Sequence, residues 1–276
     1  MTGRPLGEAM DLDVIRNRDL NGRHALVCGA SAGIGRAAAL ALAERGATLT
    51  LLARRNSELQ ALRPVLKNAG AGETHVVTAD LDDRKDLAAK VKAHLEHAGP
   101  IHILLNNTGG PKAGLLLDAK EEDFLVPYGR HLLASHLLVQ LLVPGMKEAG
   151  YGRILNILSS SVREPIPGLG VSNTIRATMA SWAKTLSREL PPGITINNIL
   201  PGYIDTDRLA EVANGISKTK GVTSNSVRQG WIDATPEGRL GKPEELGKVI
   251  AFLASPAASF IRGATIPVDG GRLFSI

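Results

Sequence analysis

The sequence predicts an α/β fold, a doubly wound parallel sheet of about seven strands with helices on both faces. Short apolar, β-rich runs alternate with longer amphipathic stretches, and each short run ends in turn residues. Strands separated by helices of this length pair through parallel crossovers rather than hairpins. No proline- or serine-rich linker divides the 276 residues, and 43% hydrophobic content is enough for one sizeable core.

Strands are expected at 24–28, 48–53, 74–78, 101–106, 153–158 and 195–200. A last one at 264–268 contains Pro267 and therefore belongs at a sheet edge. Helices are expected at 33–45, 57–68, 83–97, 121–148, 171–190 and 243–254. The last of these begins with Pro243, where a missing N–H costs nothing. Residues 205–236 are polar with weak periodicity and read as a mobile flap over a site. Residues 1–20 read as a flexible or loosely docked extension, so the domain is placed at 21–276.

Composition excludes several functions. The single cysteine, Cys28, permits neither a disulfide framework nor a thiolate zinc cluster, and at a strand end it reads as a small buried hydrophobe. No metal site is expected, because His94 and His97 read as a solvated helix face. Aromatic residues are 3%, too few for base stacking, and the net charge of +5 is scattered, so no nucleic-acid partner is expected. No apolar run approaches the roughly 18 residues of a membrane span; the stretch 132–143 is interrupted by Ser135, His136 and Gln140. With Arg4, Glu8 and Asp11, the N-terminus does not read as a signal peptide, and a cytoplasmic location is expected.

The first strand runs into Gly29, Ala30, Ser31, Ala32, Gly33, Ile34 and Gly35, and then into an Ala-rich helix. Glycines let the backbone turn tightly beside a pyrophosphate, and the helix N-terminus behind them offers free N–H groups. This context gives the fold its Rossmann-like, dinucleotide-binding character. The second strand ends in Arg54 and Arg55 rather than an acid. A carboxylate there would hold a ribose 2′-OH, whereas an arginine pairs with a 2′-phosphate, so NADP(H) is preferred and NAD(H) stays open.

From 22 to 271 the chain resembles the short-chain dehydrogenases/reductases of the 3-oxoacyl-reductase-like kind. The resemblance rests on the glycine turn, Asp80-Leu81, Asn107-Thr108-Gly109, Ser159, the run Pro201-Gly202-Tyr203-Ile204-Asp205-Thr206, and Val268-Asp269-Gly270-Gly271. It implies that Asp80 and Leu81 contact the adenine and that Asn107 and Gly109 line the coenzyme cleft. It also implies that Ile204 and Thr206 meet the nicotinamide end, that Pro201 and Gly202 bind the coenzyme, and that the chain is a homotetramer or dimer.

The family works with an Asn, a Ser, and a Tyr four residues before a Lys. Ser159 falls at the serine position, but the Tyr position falls on Ser172, the Lys position on Arg176 and the Asn position near His131. The chain therefore resembles a divergent branch. Arg176 can hold ribose hydroxyls or steady an oxyanion but keeps its proton near neutrality. His131 titrates in the useful range, so a proton path through it is one expectation. Tyr128 and Tyr203 are the phenols that folding would have to bring to Ser159 to replace the missing one. Ser160 and Ser161 read as turn residues. The expected function is NADP(H)-dependent interconversion of a small-molecule carbonyl and alcohol with atypical catalytic residues. The alternative is a nucleotide-binding sensor or scaffold with little turnover.

Overall fold

The apolar runs fold into β1 (His24–Cys28), β2 (Thr48–Ala53), β3 (Thr74–Thr78), β4 (Ile103–Asn106), β5 (Gly152–Ile157), β6 (Ile194–Pro201) and β7 (Thr265–Val268). The structure is a computed structural model that describes residues 18–276. All neighbours are parallel, in the order β3-β2-β1-β4-β5-β6-β7. The winding direction reverses between β1 and β4, so a crevice opens there at the carboxyl ends of the strands. β1, β4, β5 and β6 are buried along their whole length, which is why they read as apolar runs without alternation. β7 with Pro267 lies at the edge, as expected.

Successive residues point to opposite faces. Val27, Leu49, Leu51 and Leu105 join the core under α1 (Gly33–Glu44) and α9 (Pro243–Leu253). Leu26, Cys28, Leu104 and Ile154 join the core under α3 (Arg84–Ala98), α5 (Ala134–Glu148) and α6 (Gly170–Glu189). α2 (Asn56–Ala69) covers β2 and β3, burying Leu59, Leu62 and Leu66. The alanines of α1 admit α9 very closely. A Cβ on Gly247 would stand 2.6 Å from the Ala37 carbonyl oxygen, so only glycine fits.

Three expectations change. The stretch 121–148 is not one regular helix. It comprises α4 (Glu121–Tyr128), a π-helical turn (Gly129–Leu133) and α5. Pro127 supplies no N–H just ahead of the turn, and the wide turn rotates His131 into the interior. The flap is helical, with α7 (Asp207–Lys220) capped by Thr206 and α8 (Ser224–Asp233) capped by Thr223. Within these helices only Ala213 is buried, so they carry almost no apolar stripe for the sequence to display. The domain also begins before residue 21. Leu20 is fully buried, Asp19 accepts from Arg45 Nε at 2.7 Å, and Arg18 donates to the Gly70 carbonyl at 2.7 Å. The rest of the expected extension, residues 1–17, lies outside the described residues.

Candidate active site

A cavity of about 460 Å³ occupies the crevice at the switch point. On one side lies the glycine turn. Gly29 and Gly33 have φ of +63° and +52°, in the left-handed region that glycine favours. A Cβ on Gly35 would come 2.2 Å from the Gly29 carbonyl oxygen, and one on Gly29 would meet Asn107 Nδ2 at 2.7 Å. Asn107 Nδ2 also donates to the Cys28 carbonyl at 3.2 Å, tying the loop after β4 to the end of β1. The N-cap of α1 is Ala32, which gives no side-chain cap, and the first turn holds no acid, so its N–H groups are left for a ligand.

Arg55 reaches this side of the cleft. Its Nη2 donates to Ser31 Oγ at 3.1 Å, and its Nη1 lies 3.4 Å from Glu58. Arg54 does not line the cavity; its side chain is 72% exposed and 3.7 Å from Asp80. Ser31, Gly35, Asp80 and Leu81 lie behind or beside the wall rather than on it. Gly29, Gly33, Ile34, Asn107 and Gly109 line it, as do Pro201, Gly202, Ile204 and Thr206.

The opposite side is assembled from three segments. Ser159 follows β5, and its Oγ accepts from the Ser161 N–H at 3.1 Å, leaving its own proton free to point into the cleft. Ser172 and Arg176 project from α6. The start of α6 is clamped to the loop after β4 by Gly114 N–H to Gly168 O (2.7 Å) and by Gly170, where a Cβ would stand 2.8 Å from that of Leu116. Arg176 is only 8% exposed. Its Nη1 donates to the Ile157 carbonyl at 2.7 Å, while its Nε is buried without a partner. Burial first, and the Arg208 charge second, push its pKa down to about 10, so it remains a cation at neutral pH.

His131 is not on the cavity wall. It is 2% exposed behind Gly109, with Nε2 buried and unpartnered. Burial, then the Arg176 charge, holds its pKa down at about 2, so the ring is neutral and cannot be the acid expected of it. Neither phenol replaces the missing tyrosine. Tyr203 stacks on Trp231 at 5.2 Å beneath Arg272, Tyr128 is 38% exposed, and neither lines the cavity. Ser160 and Ser161 form a 3-10 turn, as expected. Buried Cys28 has its thiol pushed up to about 12 by desolvation and is inert. His94 is not on a solvated face, since it shares the Thr50 hydroxyl with His24, each at 2.7 Å. Among the described residues no group of histidine, cysteine or acidic side chains could hold a metal ion, and no helix could cross a membrane.

Sequence reasoning missed Arg208, in the first turn of α7. Its Nη2 donates across the cleft to the carbonyls of Gly110 (3.3 Å) and Pro111 (3.0 Å). The available signal was an arginine two residues after the helix-capping Thr206. It is informative only once 205–236 is understood to be helical.

A strand–glycine turn–helix unit opening a doubly wound sheet, with a serine at the end of β5 facing it, defines a nucleotide-dependent α/β class. A family model described as enoyl-(acyl carrier protein) reductase matches residues 29–272. The chain is 33% identical over 259 residues to a 3-oxoacyl-(acyl-carrier-protein) reductase of Pseudomonas aeruginosa, covering 93% of this chain and 99% of that one. It is also 33% identical over 266 residues to an uncharacterized oxidoreductase of Mycobacterium tuberculosis, covering 96% of each. The L-sorbose reductase of Gluconobacter frateurii, solved with NADPH and L-sorbose, superposes with a TM-score of 0.87 at 29% identity, over 94% of this chain and 100% of that one. The chain belongs to the short-chain dehydrogenase/reductase family and is 3-oxoacyl-reductase-like.

Proposed function

We propose that the protein is an NADP(H)-dependent oxidoreductase that interconverts a carbonyl and an alcohol without the tyrosine–lysine pair. The observation that carries this is the cleft itself. An uncapped helix N-terminus and Arg55 stand on one side, and Ser159, Ser172 and a buried cation, Arg176, stand on the other. The site fits the coenzyme. The glycine turn leaves room that any side chain would fill, and the open N–H groups of α1 suit a pyrophosphate. NADPH-bound relatives such as the sorbose reductase support the choice.

When bound, the coenzyme supplies or accepts hydride; the protein does the rest. Gly29, Gly33 and Ile34 receive the diphosphate, Arg55 the 2′-phosphate, and Asn107, Gly109 and Ile204 flank the nicotinamide half. Arg176 sets a positive field beside the reacting oxygen and the nicotinamide ribose. Ser159 and Ser172 donate hydrogen bonds to that oxygen. An alkoxide is as basic as a serine alkoxide, so the Ser172 hydroxyl can pass on its proton and be reprotonated from water in the cleft. Arg176 stabilises either anion. His131, neutral and behind the wall, positions Gly109 and Arg176 rather than titrating. Exposed Leu125, Val126 and Leu133 on α4 and the π turn support a dimer or tetramer, which light scattering would detect.

The test is calorimetric titration with NADPH and NADH, followed by turnover of a ketone panel. Expected are micromolar NADPH binding, weaker NADH binding and turnover that Ser159→Ala reduces about 100-fold. Absence of coenzyme binding by folded protein refutes the proposal. Tight binding with no turnover of any carbonyl returns the scaffold reading.

A further inference from the structure

We propose that the substrate is an oxo acid, a carbonyl compound bearing a carboxylate that is held between Arg176 and Arg208. This rests on the oxidoreductase reading and adds the substrate class.

The two guanidinium groups converge on Gly110. Arg176 Nη2 lies 3.6 Å, and Ser172 Oγ 4.0 Å, from the point where a Cβ on Gly110 would stand. Arg208 Nη2 donates to the Gly110 carbonyl itself. Their charges are unequal in surroundings. Arg208 is shared with Glu211 at 3.2 Å and its side chain is 48% exposed. Arg176 is buried and, among the described residues, has no acid within salt-bridge distance. An isolated buried cation costs several kcal/mol unless a counter-charge reaches it.

The protein supplies no such counter-charge, which leaves Arg176 open to an anionic ligand. The coenzyme phosphates belong to the far wall, at the glycine turn and Arg55. The nicotinamide end carries no negative charge and is cationic when oxidised. An anion bound beside Ser159 and Ser172 would therefore come with the substrate. Two guanidiniums converging on one small cleft match a carboxylate, which takes paired N–H donors in one plane. The basic residues of the flap, Lys218, Lys220 and Arg228, do not serve this role. Lys218 and Lys220 are exposed at the end of α7, Arg228 pairs with Asp205 at 3.1 Å, and none of them lines the cavity.

Two arms test this. In the first, malonate and the uncharged malonamide are titrated calorimetrically into the coenzyme-free protein and into protein saturated with NADP+. Expected is malonate binding that persists with coenzyme, is absent in Arg176→Gln and is weakened about tenfold in Arg208→Gln; malonamide does not bind. Arg208 is partly exposed, so its variant reads the site even if Arg176→Gln fails to fold. Equal binding of malonamide, no binding of malonate, indifference to Arg208→Gln, or displacement of malonate by coenzyme each overturns the proposal. Displacement would assign the anion site to the coenzyme phosphates.

In the second arm, 2-oxo, 3-oxo and 4-oxo acids are compared with their methyl esters in NADPH-dependent reduction. The best acid is expected to exceed its ester in kcat/KM by at least about tenfold, a ratio that Arg208→Gln brings close to one. Esters reduced as well as acids overturn the substrate class while leaving the coenzyme reading intact. If coenzyme binding fails while malonate still obeys the arginines, the reverse holds.

Discussion

The two walls of the cleft are built on different physical principles. The coenzyme-facing wall is mostly backbone, with glycines at 29, 33 and 35, an uncapped helix and only Arg55 reaching in from the side. The wall opposite is made of polar side chains, the half-buried Ser159 and Ser172 and the buried Arg176, whose Nε has no partner; behind it His131 Nε2 is also buried without one. The first wall fails when its shape is lost. The second holds a buried cation that costs stability, as expected where function and stability compete. Substitutions in the two walls should therefore differ in sign as well as size.

The largest effect is expected at Gly35→Ala. Its Cβ would lie 2.2 Å from the Gly29 carbonyl oxygen, so the backbone must move. Coenzyme affinity should fall by at least about 100-fold, and stability by about 1–3 kcal/mol. Calorimetry and urea denaturation measure the two together. Wild-type NADPH affinity in this variant would show that the turn does not hold the coenzyme.

Arg176→Met should separate the properties that Gly35→Ala loses together. Turnover is expected to drop about 100-fold. Stability, however, should be unchanged or higher by about 1 kcal/mol, because an uncompensated buried cation is removed at similar volume. A variant that loses several kcal/mol would mean that Arg176 is a structural residue and that the contrast between the walls is wrong.

These walls also explain what could be read from sequence. The glycine turn is local: strand, turn and helix follow one another within a few residues, and the glycines are required by positive φ and close contact that no other residue tolerates. The strand pattern was equally legible because central parallel strands are buried on both faces. The second wall joins residues from the end of β5, α6 and α7, and their convergence is tertiary. Ser159, Ser172 and Arg176 were placed by their spacing along a familiar pattern, and they do line one cavity. His131 falls near the family's Asn position within what reads as one long helix; its neutral state was not legible, because burial decides a histidine pKa and burial here depends on the π turn. Arg208 was invisible because the helix carrying it has almost no apolar face.

Acid sharpens the comparison at a finer scale. His131 behind the second wall faces Arg176 and Arg130. His24, at the opposite end of the sheet, faces His94, His75 and His102. Burial is the main cause in both, holding the folded pKa at about 2 and about 3, below the ordinary 6.5. The unfolded chain therefore takes up protons first. The contribution of these groups is complete above pH 6.5 and is lost progressively as pH falls toward those values. Each should remove about 1 kcal/mol between neutrality and pH 5.5. His131→Leu should flatten that slope in urea denaturation at the two pH values. Unchanged acid sensitivity in both His131→Leu and His24→Gln would place its origin elsewhere.

The smallest effects test the coenzyme-facing wall from its open side, where two adjacent arginines looked equivalent. Arg55 lines the cavity and bonds Ser31 at 3.1 Å, within the glycine turn. Arg54 is 72% exposed and shared with Asp80. Both arginines are exposed and stand near a carboxylate, so position decides: Arg55, held to Ser31 at the cleft edge, directs its field inward, and Arg54 lies outside the cavity. Arg55→Ala should lower the NADPH-to-NADH affinity ratio by about tenfold, and Arg54→Ala by less than about threefold. Paired calorimetric titrations of both coenzymes measure the ratio in each variant. The reverse order would mean that Arg54 leaves Asp80 for the 2′-phosphate when coenzyme binds. Two null results would remove the electrostatic basis for preferring NADP(H), while leaving the diphosphate cradle of the glycine turn untouched.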